Sequence, residues 1–300
     1  MHRSLKYLAV FVILFFLIDI STGWVMNRTF PNITFGTYGK VNRSLEADED
    51  ILIFGSSRAE HHYNPEIISK ETGKSCYNTG LGGYGLFYNY ALFSELVKKN
   101  KPELVILDLS PNVIVDPNAY MKLNIFMPYY FDDPSFREII RLDPDFSRFK
   151  TFFNIYVYNS TLYDMVRGKV TGDRQGNGYK GLQPTMNVDA YTRMTLSENE
   201  NMDDIKKVYL EKFLDVAITN NIRMICMISP TYEKFDANDR IIGELSATIS
   251  QKGIEFYDYS YFDELYHKPA YFKDQLHLNA RGVEVFNHEL GRILLQTRSE

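Results

Sequence analysis

Hydrophobic positions along this chain follow three rhythms. The first is a nearly unbroken apolar run from Tyr7 to Val25 (YLAVFVILFFLIDISTGWV), close to the roughly 20 residues that a membrane-spanning helix needs. The second begins after residue 50, where short aliphatic runs alternate with amphipathic stretches. Apolar runs of this length, bounded by turn residues, read as buried strands. They predict strands at Ile51–Phe54, Ser75–Asn78, Leu104–Leu109, Arg223–Pro230 and Ile254–Ser260. Between and after them, helices are predicted at Pro65–Thr72 (closed by Gly73), Leu86–Lys99, Met202–Asn220, Asn238–Gln251 (closed by Gly253) and Ala280–Gln296. Strands alternating with helices predict an α/β fold with a five-stranded parallel sheet, doubly wound. The third rhythm is the loss of one. From about Val113 to Asn199 the alternation disappears into Tyr, Phe, Asn and Asp, with a glycine-dense patch from Gly172 to Pro184. An excursion that long in a compact domain reads as a lid or binding segment.

The flanks of the apolar run predict its orientation. His2, Arg3 and Lys6 precede it, so the positive-inside rule places the N-terminus in the cytoplasm and the rest outside. Trp24 stands at the far end as an interfacial anchor. No A-x-A pattern and no lipobox cysteine follows, and the run is long for the core of a signal peptide. Residues 1–25 therefore read as an uncleaved signal anchor, although Asp19 sits inside the run. Residues 26–49 are polar and punctuated, which suits an irregular stalk. Residues 50–300 read as one domain with an insertion at about 113–199.

Composition adds exclusions. Three hundred residues at 45% hydrophobic content can bury a large core. The net charge of −5 gives no basic face for nucleic acid. Cys76 and Cys226 are too few for a disulfide framework or a zinc site and read as buried structural residues.

Candidate chemistry sits at the strand ends. The run ILIF stops at Gly55-Ser56-Ser57, which puts a hydroxyl at the edge of the sheet where open α/β folds bind ligands. Far downstream, Asp274 and His277 form D-x-x-H, extended by Asn279 and Gly282. A carboxylate three residues before an imidazole can orient it while it takes a proton from a serine. A lone D-x-x-H is more often a surface pair at a helix start. The GLGGYG segment contains G-x-G-x-x-G at Gly80, Gly82 and Gly85, with Asp108 after the next strand, so it also fits a dinucleotide site. Its strand is short and polar and is not the first of the sheet, which weakens that reading. Asn112, after the third strand, can donate an amide to a developing oxyanion, or can be an ordinary turn residue beside Pro111. Ser57, Gly83, Asn112 and the Asp274–His277 pair all fall on one edge of the predicted sheet.

With these blocks in this order, the chain resembles the SGNH/GDSL hydrolase superfamily. GSS matches its serine block at Ser57, NTGLGG its glycine block at Gly83, LSPN its asparagine block at Asn112, and DQLH its acid–base block. The resemblance covers residues 51–112 and 204–296 and implies a flavodoxin-like three-layer fold. It also implies a serine esterase or acyltransferase with Ser57 as nucleophile, His277 as base and Asp274 as its orienting partner. The oxyanion would be held by the Ser57 and Gly83 N–H groups and the Asn112 amide, and no metal or organic cofactor is needed. Ser56 replaces the usual Asp, Val113 follows Asn112 in place of the usual Gly and Asp, and Leu278 replaces the usual Pro. With the anchor, these departures look more like the membrane-attached branch that serves alginate O-acetylation and lipoteichoic-acid D-alanylation. Members of that branch work beside a membrane-bound O-acyltransferase on a glycan or other acyl-ester substrate. Arg58, His61 and His62 read as flanking surface residues. A catalytically idle carbohydrate-binding or scaffold protein, and a dinucleotide enzyme, are the alternatives from other classes.

Overall fold

A computed structural model describes residues 2–172, 176–190, 201–233 and 238–296. In chain order the elements begin with α1 (His2–Thr29), α2 (Gly36–Leu45) and β1 (Ile51–Phe54). Next come α3 (Ser57–His62), α4 (Pro65–Thr72), β2 (Cys76–Asn78) and α5 (Leu86–Leu96). They are followed by β3 (Leu104–Asp108), α6 (Pro111–Val115), α7 (Pro134–Ile140) and α8 (Asn154–Thr171). The chain closes with α9 (Asp204–Thr219), β4 (Arg223–Ile228), α10 (Asn238–Gln251), β5 (Glu255–Asp258) and α11 (Ala280–Gln296). It divides into two compact units, one of residues 1–43 with 120–175, the other of residues 44–119 with 176–300.

The second unit holds the sheet. All neighbouring strands are parallel, in the order β2-β1-β3-β4-β5, the flavodoxin-like arrangement. Because side chains alternate along a strand, β1 feeds two cores. Ile51 and Ile53 pack with Ile68, Phe286 and Leu290 under α4 and α11. Phe54 points the other way, against Phe93 of α5 and Phe213 of α9, with ring centroids 5.2 and 5.6 Å away. Helices on both faces explain why every residue of β1 and β3 is buried and apolar, with Asp108 the exception. Helix α4 starts with Asn64 accepting from the Glu66 N–H at 3.0 Å and ends at Gly73, left-handed at φ 69°, as its sequence predicts. Cys76 on β2 and Cys226 on β4 are both buried free thiols.

The first unit departs from expectation. Residues 26–49, read as an irregular stalk, are largely helical: α1 runs on to Thr29, and α2 follows after a short 3-10 turn. Some of their polar residues are engaged rather than solvated. The Asn42 amide donates to the Phe30 carbonyl at 2.7 Å, and Tyr129 donates to Asn42 Oδ1 at 2.6 Å. Phe30 is buried, with Tyr38 and Tyr129 edge-on at 5.8 and 5.0 Å. The insertion, whose length already argues against one loop, is built of short elements. It forms 3-10 turns at Pro117–Tyr129 and Arg148–Phe152 together with α7 and α8. Of its glycine-dense patch, 173–175 lie outside the described residues, as do 191–200.

Helix α1 is long and apolar enough to cross a membrane. Asp19, the awkward charge in the run, is buried. Its carboxylate accepts from the Ile155 N–H at 2.9 Å and the Asn154 side-chain amide at 3.1 Å. It thereby satisfies one open N–H of the first turn of α8.

Candidate active site

The carboxyl ends of β1, β3 and β4 and the loop before α11 converge on one site. At the end of β1 the backbone turns sharply through Gly55, with φ 148°. A Cβ there would lie 2.7 Å from Ala59 Cβ and 2.9 Å from the Asp108 carbonyl, so only glycine fits. Its N–H is held by Asn89 Oδ1 at 3.1 Å. Ser57 then opens α3 with its N–H in the first turn, where a helix supplies no internal acceptor.

Ser57 Oγ lies 2.9 Å from His277 Nε2. His277 Nδ1 lies 2.9 and 3.1 Å from the two Asp274 oxygens. With a carboxylate accepting at Nδ1, the imidazole carries its proton there and offers the Nε2 lone pair to the serine hydroxyl. Asp274 is itself oriented, accepting from the Leu276 N–H at 2.9 Å and the His277 N–H at 3.0 Å. Partial burial would raise its pKa. The His277 hydrogen bond and charge, with those two N–H groups, outweigh that and hold the carboxyl below its ordinary value. The loop is pinned by Asn279, whose Oδ1 accepts from the Arg281 and Gly282 N–H groups at 3.1 and 3.2 Å as the cap of α11. Ser56, one residue from Ser57, is buried and its hydroxyl has no hydrogen-bond partner among the described residues.

Gly83 and Asn112 follow β2 and β3, the two strands that flank β1, so their loops border the one carrying Ser57. Gly83 sits at φ 81°. Asn112 Oδ1 accepts from Ser110 Oγ at 2.9 Å, which leaves its NH2 as the group that can donate to a ligand. The preceding glycine is held from beneath: Glu60 Oε2 accepts the Gly82 N–H at 2.9 Å, and a Cβ on Gly82 would come within 2.8 Å of that oxygen.

Of the residues read as surface flankers, Arg58 and His62 are buried and His61 is half-buried. Arg58 is buried, with Nε donating to Ser229 Oγ at 3.1 Å, a second nitrogen to the Ser229 carbonyl, and a third reaching Ser110 Oγ at 3.4 Å. His62 is fully buried between Ser229 Oγ, 2.9 Å from Nδ1, and the Leu278 N–H, which donates to Nε2 at 3.0 Å. Burial, then the Arg58 charge, push its pKa well below the ordinary histidine value. His61 stands edge-on to the His277 ring, centroids 5.4 Å apart, and its Nδ1 donates to the Lys180 carbonyl at 2.7 Å. These residues were missed because α3 reads as a polar helix, while their partner Ser229 enters from β4. A serine directly after a strand, on the same edge as Ser57, was the available signal.

Asp108, the acidic residue of the dinucleotide reading, is buried beneath the site. It accepts from Tyr63 Oη at 2.7 Å and the Ser229 N–H at 3.2 Å. These bonds tie β3 to the end of α3 and to the loop after β4. Residues 176–186, the end of the insertion, run along this edge. Lys180 donates its N–H to the Glu60 carbonyl, Leu182 accepts from the Ala280 N–H at 2.8 Å, and Met186 donates to the Phe272 carbonyl at 2.7 Å.

No protein-family model matches the chain, and no curated protein does. Solved structures with a similar course of chain include a Bacteroides fragilis protein provisionally named an acylhydrolase. It is 17% identical over 82% of this chain and 86% of its own, at a TM-score of 0.44. A Streptococcus pneumoniae protein provisionally named a platelet activating factor is 12% identical, covering 92% and 99%, also at 0.44. A GDSL-like lipase from Bacteroides thetaiotaomicron is 15% identical, covering 81% and 88%, at 0.40.

Proposed function

We propose that this chain is a membrane-anchored serine esterase or O-acyltransferase of the SGNH type, acting outside the cytoplasm on acyl esters of a cell-surface glycopolymer. The observation that carries this reading is the continuous relay from Ser57 through His277 to Asp274, with contacts of 2.9 Å at both joints.

In this mechanism His277 Nε2 removes the Ser57 proton as Oγ attacks the ester carbonyl. The resulting oxyanion meets the Ser57 and Gly83 N–H groups and the Asn112 amide. His277 then protonates the departing alkoxide, leaving an acyl-serine. Water or a sugar hydroxyl, deprotonated by the same nitrogen, takes the acyl group and restores the enzyme. Asp274 keeps the imidazole in the required tautomer and stabilises its charged form. Each of these steps is performed by protein side chains and backbone.

The glycopolymer substrate, and a membrane-bound O-acyltransferase as partner, are supported by the resemblance to the membrane-attached branch. The extracytoplasmic placement is supported by His2, Arg3 and Lys6 before the apolar helix. A fluorophosphonate probe tests the chemistry: labelled peptide should map to Ser57. Label on Ser56, or wild-type protein that never labels with any probe or acyl donor, would overturn it, the latter in favour of an idle scaffold.

A further inference from the structure

The first unit carries an aromatic knuckle that the site does not use. At the 3-10 turn before α8, Phe149 and Phe152 are 68% and 71% exposed. Their rings gather on each other and on Phe153, with Phe149 at 6.4 Å from Phe152 and 5.4 Å from Phe153. Phe153 in turn stands edge-on to Phe15 of α1 at 5.8 Å. Phe15 lies inside the apolar run, four residues before Asp19, which is about 6 Å along a helix at 1.5 Å per residue. Asp19 binds the first turn of α8, so the knuckle lies on the side of Asp19 that faces the middle of the run. Next to it, Leu162 of α8 and Leu14, Leu17, Ile18 and Val25 of α1 line an apolar groove of about 410 Å³.

We infer that residues 148–153 are a second membrane contact, inserting Phe149, Phe152 and Phe153 among the acyl chains of the leaflet through which α1 leaves the bilayer. The inference rests on reading α1 as the membrane span. Lipid is the occupant because the knuckle is continuous with the exposed apolar side chains of α1, including Phe11, Leu14, Phe15 and Ile18, for which hydrocarbon is the fitting solvent. Rings held at that level meet acyl chains rather than a soluble partner. Phe153 meets α1 at Phe15, ten residues or about 15 Å before Val25, so the rings reach deeper than the roughly 5–10 Å of an interfacial helix. Arg148 and Lys150, on either side of Phe149, carry long apolar stems that lead their charges back toward the phosphate level. Lys150 already folds back over the Tyr156 ring at 5.1 Å. A second contact with the same leaflet would restrain tilting of the first unit against the bilayer.

Depth-dependent quenching tests this in the full-length protein, in phosphatidylcholine vesicles with or without bromines on the acyl chains. With Trp24→Phe removing the natural fluorophore, Phe152→Trp places a reporter on the knuckle and Phe11→Trp one on α1. Bromolipid should quench both, and the Phe152→Trp emission should shift to the blue on reconstitution. A quenched Phe11→Trp reporter with Phe152→Trp unquenched and solvent-like would overturn the knuckle and leave the anchor standing. Failure of both would overturn the anchor and the inference with it. Phe149→Trp, also at an exposed ring, is the second knuckle reporter, and fluorophosphonate labelling of each variant reports that the chain is folded.

Discussion

The backbone N–H of Leu278, the residue after His277, donates to Nε2 of His62 at 3.0 Å. The loop that carries the base is thus tied to the helix that begins at Ser57. His62 passes the connection on through Nδ1 to Ser229 after β4, so three chain segments meet at one neutral imidazole. Replacing it by His62→Ala leaves the buried Leu278 N–H without its acceptor, while Ser229 Oγ keeps only Arg58. Stability should fall by about 2–3 kcal/mol, the scale of unsatisfied buried groups. A lowered urea midpoint with unchanged slope is the expected reading.

The same imidazole predicts a pH dependence. Its folded pKa is lowered from 6.5 by burial and by Arg58, so below that pH the unfolded chain binds a proton that the folded one refuses. Stability should therefore be complete above pH 6.5 and decline as pH drops beneath it. Asp274, lowered from 3.8, contributes in the same direction only in stronger acid. Urea midpoints measured across pH should show the first decline in wild-type protein and less of it in His62→Ala, where His61, lowered by burial in the same direction, still contributes.

Loss of a relay member should scale with its role. Ser57→Ala and His277→Ala should each lower kcat on the order of 10⁶-fold, and the double variant little further, because the two act as a unit. Asp274→Asn should cost less, about 10⁴-fold. Ser56→Ala should retain label. Steady-state turnover of a small activated ester, with far-ultraviolet circular dichroism as the folding check, separates these outcomes.

Asp19 predicts a defect far from the chemistry. Asp19→Leu removes the acceptor of the Ile155 N–H and should destabilise the first unit by about 1–3 kcal/mol. Asp19→Asn, which keeps one acceptor oxygen, should be milder. Limited proteolysis in detergent should show earlier cleavage within α8 in the leucine variant.

Much of the sheet was legible because burial on both faces forces continuous apolar strands, and Leu104–Asp108 and Arg223–Ile228 show this plainly. Ser57, Asp274 and His277 were legible for a related reason: strand ends and helix starts are marked locally, by glycine, by Asn279 and by spacing. Arg58 and His62 were not. Their burial depends on Ser229, 171 and 167 residues away in sequence, and nothing in SRAEHH distinguishes that from a solvated helix. The stalk failed similarly, since the partner of Asn42 is Tyr129, 87 residues on. Polarity records what a residue can bond to, not whether the partner is water or another segment.

The sheet order keeps the two thiols apart. Cys76 and Cys226 lie on β2 and β4, with β1 and β3 between them. Three strand spacings amount to about 14 Å, twice the reach of a disulfide, and burial pushes both pKa values up. Folding therefore proceeds alike in oxidising and reducing surroundings and asks nothing of a thiol oxidase. A cysteine engineered onto the surface would be the one fast-reacting thiol among the described residues, so a probe can be attached there without removing either native sulfur.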